Sequence, residues 1–213
     1  MGPVMVGPSS SHTAGTARLG RVAREILGGA PSHLRFHLHP PLERTYRGHG
    51  SDFALVGGAI GMSVDDPRIP EAIRIAEQSG VDIDFAEEDL GEVHPNTVRI
   101  LASNGSKDVE VVGSSIGGAA IEVFRINGFP ARYSGESPTL MMFYRDRLAM
   151  IHQVTGILAA EGINIATLEC SRKERGREAF MQIDVDSPVS RDAMARIRGF
   201  DDVREALFID RIQ

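Results

Sequence analysis

The sequence predicts an α+β chain in two parts, a mixed α/β domain over residues 1–136 and a ferredoxin-like βαββαβ domain over residues 137–213. Three observations carry that expectation. Residues 97–133 alternate in short β-like runs broken at Asn104-Gly105, Gly117-Gly118 and Asn127-Gly128, dipeptides that tolerate the positive φ of tight hairpins. Gly135-Glu136-Ser137-Pro138 reads as a linker. Beyond it the elements run strand, helix, strand, strand, helix, strand.

Residues 9–29 predict a helix: serines supply N-caps, Leu19, Val22, Ala23 and Ile26 make one apolar stripe, and Gly28-Gly29 ends it. A strand over 33–38 stops at Pro40-Pro41. Residues 51–62, rich in Gly and Ala, predict a buried helix capped by Ser51 or Asp52 and packed closely on a neighbour. Pro70 suits the first turn of a further helix with Ile69, Ile73 and Ala76 inward, and Val81 to Phe85 has the period of a strand. In the second part, strands are expected at 140–144, 163–171, 178–186 and 203–209. Helices are expected from about Ala149, with Ile151, Val154, Thr155 and Leu158 inward, and from a Ser190 cap, with Met194 and Ile197 inward.

Composition narrows the function. The chain has 213 residues, 42% apolar and 24% charged, with a net charge of −6, no Trp and no basic block, so a nucleic-acid groove is not expected. No apolar run reaches membrane-spanning length, and the amino terminus lacks the charged and apolar segments of a signal peptide; a cytoplasmic protein is the default expectation. Cys170, the lone cysteine, excludes an internal disulfide and a metal site built from several thiolates. All but two of the 23 basic residues are arginines. The two lysines, Lys107 and Lys173, both fall in turn-like stretches, which argues against a shielded Schiff base with pyridoxal phosphate.

Four clusters hold candidate chemistry. Ser9, Ser10, Ser11 and Thr13 surround His12 at a predicted helix start, where free N–H groups and hydroxyls suit a carboxylate or phosphate; a cap alone needs one such residue. His49 lies between Gly48 and Gly50 at a loop–helix junction, ahead of Ser51 and Asp52. Of His33, His37 and His39, the last two share a predicted strand face and offer a conceivable metal pair, but no carboxylate or cysteine nearby completes a ligand set apart from Glu43 beyond two prolines. His94-Pro95-Asn96-Thr97 reads alone as a turn into a strand. A serine-hydrolase reading of Ser11 and His12 fails, because adjacent residues at a helix start diverge and no nucleophile elbow is present.

Taken together, these segments resemble one family. The run from Gly2 to Gly15, with Gly7-Pro8-Ser9-Ser10-Ser11-His12-Thr13 at its heart, is similar to the opening signature of the β subunit of iron–sulfur L-serine dehydratases. Thr45-Tyr46-Arg47-Gly48-His49-Gly50-Ser51-Asp52, Val93-His94-Pro95-Asn96-Thr97 and Ser115-Ile116-Gly117-Gly118 match further family segments in order. The tail from Leu140 resembles an ACT domain, a module that often senses amino acids. The resemblance implies a serine-binding first domain, conversion of L-serine to pyruvate and ammonia, and a 4Fe–4S cluster held by a separate α subunit and not by this chain. There an iron with an open position would act as Lewis acid on the substrate hydroxyl while a base removes the α-proton. It further implies His12 and His49 as catalytic residues, Ser9, Ser10, Ser11, Thr13, Ser51 and Asn96 as substrate-binding residues, and self-association through the ACT domain. Ala149 stands where the family commonly has a glycine beside the effector site. The competing reading is a stand-alone amino-acid-binding regulator of the ACT type.

Overall fold

A computed structural model describes residues 10–212, with side chains from His12 onward. The chain divides into two compact units. One holds the described residues up to Gly128 with Arg132–Ser134 and Ile212; the other holds Phe129–Ala131 and Gly135–Arg211.

In the first unit the chain begins with a π-helical turn, Ser10–Ala14, that runs into α1 (Gly15–Leu27). Gly28 ends α1 at φ 80° and sends its N–H to Arg24 and Glu25, as the Gly-Gly pair predicts. The elements that follow are β1 (His33–Leu38), the short helices α2 (Pro40–Glu43) and α3 (Tyr46–His49), then α4 (Ser51–Ile60) and α5 (Ala72–Gln78). Strands β2 (Asp82–Glu87), β3 (Thr97–Ser103), β4 (Asp108–Gly117), β5 (Ala120–Ile126) and β6 (Phe129–Tyr133), the last with its residues divided between the two units, complete this sheet. It has six strands in the order β2-β1-β3-β4-β5-β6, with β1 and β2 parallel.

Helices cover one face of this sheet. Leu34, Phe36 and Leu38 of β1 and Val98, Ile100 and Ala102 of β3 are buried on alternate positions. The opposite face is polar: Arg35 pairs with Asp84 at 3.1 Å and His37 Nδ1 with Glu88 at 2.9 Å. Arg99 also bridges Glu88, so this face holds a chain of charges.

Two glycines set the helix packing. A Cβ on Gly58 would lie 1.9 Å from the Ala17 carbonyl oxygen, and one on Gly20 2.1 Å from that of Leu55. Backbone touches backbone here, which is the close packing that the Gly/Ala-rich stretch predicts. Contacts advance together along both helices, from Thr13 with His49 to Arg24 with Ala59, so α1 and α4 run parallel.

Three local expectations are corrected. Ser51 is the first helical residue of α4 rather than its cap; Gly50 caps it at φ 70°, with no side-chain bond. The helix at Pro70 splits into a 3₁₀ turn, Ile69–Glu71, and α5, so Ala72 and Ala76 are buried while Ile73 is half-exposed. In the second unit, Ala149 precedes α6 (Met150–Ala160) at φ 67° and turns a different stripe inward. Met150, Val154, Ile157 and Leu158 are buried, whereas Ile151 is exposed.

The rest of the second unit follows the predicted order: β7 (Thr139–Arg145), α6, β8 (Ile165–Arg172), β9 (Glu178–Val185), α7 (Arg191–Arg198) and β10 (Val203–Ile209). Ser190 caps α7 by accepting the Ala193 N–H at 3.0 Å. The sheet order β10-β7-β9-β8 is that of a ferredoxin-like fold. Met142, Tyr144, Met181 and Ile183 face α6 and α7 in its core.

Candidate functional site

The parallel helices bring two amino-terminal ends together. The turn Ser10–Ala14 packs against α3, α4 and the end of β4. The direction of α1 over β4 follows from three contacts. Lys107, just before β4, donates to the Ile26 carbonyl; Leu19 lies over Gly113; and Arg18 donates to the Ala119 carbonyl at 2.9 Å. The start of the helix therefore sits at the Ser115–Gly117 end of the strand.

His12 and His49 meet there. Their rings stack with centroids 4.5 Å apart and planes at 28°. Thr13 fixes the pairing, because its hydroxyl donates to the His49 carbonyl at 3.3 Å. Thr16, one turn on, donates to the His12 carbonyl at 2.6 Å. His49 Nδ1 lies 3.0 Å from the Thr45 carbonyl, which only accepts, so Nδ1 is the donor there and Nε2 is the nitrogen left to exchange a proton. Desolvation, and then the adjacent His49 ring, hold His12 below its ordinary imidazole value.

The other expected site residues fall unevenly. Ser9 lies outside the described residues; Ser10 and Ser11 belong to the π-helical turn. Thr13 is buried with its hydroxyl committed to His49, which makes it a positioning group. Ser51 is fully buried at the start of α4. Asn96 reaches the same region through its backbone, its carbonyl accepting the Ser115 N–H at 3.0 Å. Asp52, read from sequence only as a possible cap of α4 beside His49, is buried here and accepts the Phe53 N–H at 2.9 Å. Desolvation raises its carboxyl above the ordinary value, more than its backbone hydrogen bonds lower it. Nothing in the sequence signals that burial except its place after Gly48-His49-Gly50.

His33 and His37 lie on the opposite, charged face of the sheet, and His39 precedes α2 with its Nδ1 4.0 Å from Asp89. None of the three joins the His12–His49 pair. Among the described residues no three His, Cys, Asp or Glu side chains gather as a metal site.

Residues 139–202 match the family model of the ACT domain. Over 189 residues, 89% of this chain and 86% of the relative, the sequence is 44% identical to the probable L-serine dehydratase β chain of Bacillus subtilis (strain 168). It is 35% identical over 213 residues, 99% of this chain and 96% of the relative, to the L-serine dehydratase β chain of Peptoniphilus asaccharolyticus. The chain belongs to the L-serine dehydratase β-chain family. A third relative, L-serine dehydratase TdcG of Escherichia coli (strain K12), is 31% identical over 127 residues, 49% of this chain and 28% of that protein. The resemblance read from the signature segments is thereby borne out, and so are the α+β fold class and the ACT domain.

An L-serine dehydratase β chain raises the question of the cluster. This chain's donor set does not fit one. Its single thiol, Cys170, is on β8 in the ACT unit, and desolvation pushes it above its ordinary value, away from the thiolate that binds iron.

Proposed function

We propose that this chain is the substrate-binding and proton-handling subunit of a two-chain L-serine dehydratase, which converts L-serine to pyruvate and ammonia. A separate α subunit holds the 4Fe–4S cluster. The observation that carries the reading is the His12–His49 stack, with His49 Nδ1 donating to the Thr45 carbonyl, at the joined starts of two helices.

His49 Nε2, the nitrogen left to exchange a proton, is the group we assign to the α-proton. His12, whose ring stacks on that of His49 with centroids 4.5 Å apart, lies beside the group that takes this proton. Loss of the α-proton and the β-hydroxyl leaves 2-aminoacrylate, whose imine tautomer hydrolyses to pyruvate and ammonia. Ser10 and Ser11 belong to the turn at the joined helix starts, Ser51 lies buried at the start of α4, Asn96 precedes β3 beside the end of β4, and Thr13 holds His49 in place. With Ser9 from the same signature, these are the proposed substrate-binding residues.

The first domain, residues 1–136, is the proposed serine-binding domain, and residues 137–213 the proposed ACT domain. β8 and β10 are the edges of the ACT sheet, and an unpaired edge favours self-association. No described helix is long and apolar enough to cross a membrane, in keeping with the cytoplasmic location we propose.

Spectra and pyruvate formation test this reading. The purified chain is predicted to be colourless, iron-free and inactive with L-serine, and addition of the α subunit is predicted to give pyruvate. Pyruvate from the chain alone above a heat-killed control would refute the division of labour. Serine binding without turnover in the reconstituted complex would favour the regulator.

A further inference from the structure

Among the described residues, two hydroxyls at the joined helix starts have no hydrogen-bond partner. Ser51 Oγ and Ser115 Oγ are both buried without one, and both residues have 0% exposure. Their neighbour Ser114 shows the contrast, its hydroxyl lying 2.6 Å from that of Thr97. An orphaned buried hydroxyl is unfavourable, so a fold keeps one where something else uses it.

Both point at the same place. Ser115 shares a strand face with Gly113, against which Leu19 of α1 packs, and it lies further toward the helix start. Ser51 is seven residues before Gly58 on α4, so it shares the stripe that touches Ala17 of α1, two turns nearer the amino end. The hydroxyls therefore converge beneath the Ser10–Ala14 turn. Two aligned helix dipoles present their positive ends there, and α4 has no side-chain cap to use its own free N–H groups. Donor hydroxyls at two positive helix ends suit an anion.

We propose that Ser115 and Ser51 form the subsite for the substrate's carboxylate, an assignment that rests on the dehydratase reading and extends it to a residue on β4. Because neither hydroxyl reaches solvent in the free chain, the carboxylate gains them as the Ser10–Ala14 turn shifts outward. Asp52, in the first turn of α4, has its carboxyl raised above the ordinary carboxylate value by desolvation.

The test uses the reconstituted α–β complex and two probes in calorimetry. 3-Hydroxypropionate keeps the carboxylate and hydroxyl of serine, whereas ethanolamine keeps the amine and hydroxyl. Ser115→Ala is predicted to weaken 3-hydroxypropionate about tenfold, as loss of one hydrogen bond to a charged group does, and to leave ethanolamine unchanged. Ser51→Ala should show the same selectivity. The KM for L-serine should rise by a similar factor, with a smaller fall in kcat. Without ligand, Ser115→Ala should melt no lower than wild type, because it removes an orphaned hydroxyl. Equal weakening of both probes, no change in either, or a lower melting temperature would overturn the subsite. So would failure of the wild-type complex to bind 3-hydroxypropionate. Failure of the dehydratase reading shows separately, as absence of pyruvate from wild type.

Discussion

Gly58→Ala is predicted to disrupt the helix pair that builds the site, while Gly57→Ala next to it is harmless. The added Cβ at Gly58 would lie 1.9 Å from the Ala17 carbonyl oxygen and 2.9 Å from the Arg21 nitrogen. Both are backbone atoms of α1 and cannot rotate away. Relief requires the helices to part by roughly 1 Å, a gap that forfeits a quarter to a half of each dispersion contact along the seam. Overpacking of this kind costs up to about 3 kcal/mol or more, offset by about 1 kcal/mol of helix propensity, for a net loss of about 2–3 kcal/mol. At Gly57 the new Cβ would meet Ile69 Cγ1 at 3.4 Å and Ala72 Cβ at 3.5 Å, ordinary contacts. Gly57→Ala should therefore gain about 0.5–1 kcal/mol from propensity alone. Thermal denaturation of the first unit's transition should separate the two variants by about 10 °C or more. Similar melting temperatures would refute the claim that backbone contact between α1 and α4 sets their spacing.

Ala149→Gly should stabilise the ACT unit by about 0.5–1 kcal/mol, because Ala149 holds φ 67° and the left-handed penalty exceeds the entropy a glycine adds to the unfolded chain; urea denaturation reads this directly. His12 has a native pKa below its unfolded 6.5, so the unfolded chain binds the extra proton and stability should fall as pH drops below 6.5. His12→Gln should flatten that limb in denaturant titrations at pH 7.5 and about 5.5. Asp52, raised above 3.8, acts with the opposite sign: its contribution weakens as pH rises from 3.8 through the raised value, and Asp52→Asn should remove that loss. Sedimentation of the full chain should show concentration-dependent self-association; a monomer at all concentrations would contradict the role proposed for the ACT edges.

Much of this architecture was legible because local patterns and tertiary packing agree. The stripe of α1, its Gly28 stop, the Asn127-Gly128 turn and the Ser190 cap all answer to short-range chemistry, and all form as the sequence predicts. The misses share a different cause. Gly50 in the left-handed region places Ser51 inside α4, and Ala149 in the same region turns α6 so that Ile151 faces outward. No periodicity announces a single residue's φ. The parallel pairing of β1 with β2 was likewise hidden, since alternation gives a strand's faces and not its neighbours. In the site, His12 and His49 lie far apart in sequence and came together on paper only through the family's segments; the structure supplies the stack and the Thr13 bridge. Ser115 carried no chemical signal by itself. Its significance is burial without a partner, a property of the fold alone.

The account's central claim is that the stacked histidines handle the substrate's protons, and turnover of the reconstituted α–β enzyme tests it most directly. His49→Ala and His12→Ala should each lower kcat by roughly a hundredfold or more, the usual share of a general acid–base group. Cluster content and subunit association should stay intact. His33→Ala, His37→Ala and His39→Ala, away from the pair, should turn over near the wild-type rate. Full turnover by both the His12 and His49 variants would contradict the account and leave the signature a structural helix start.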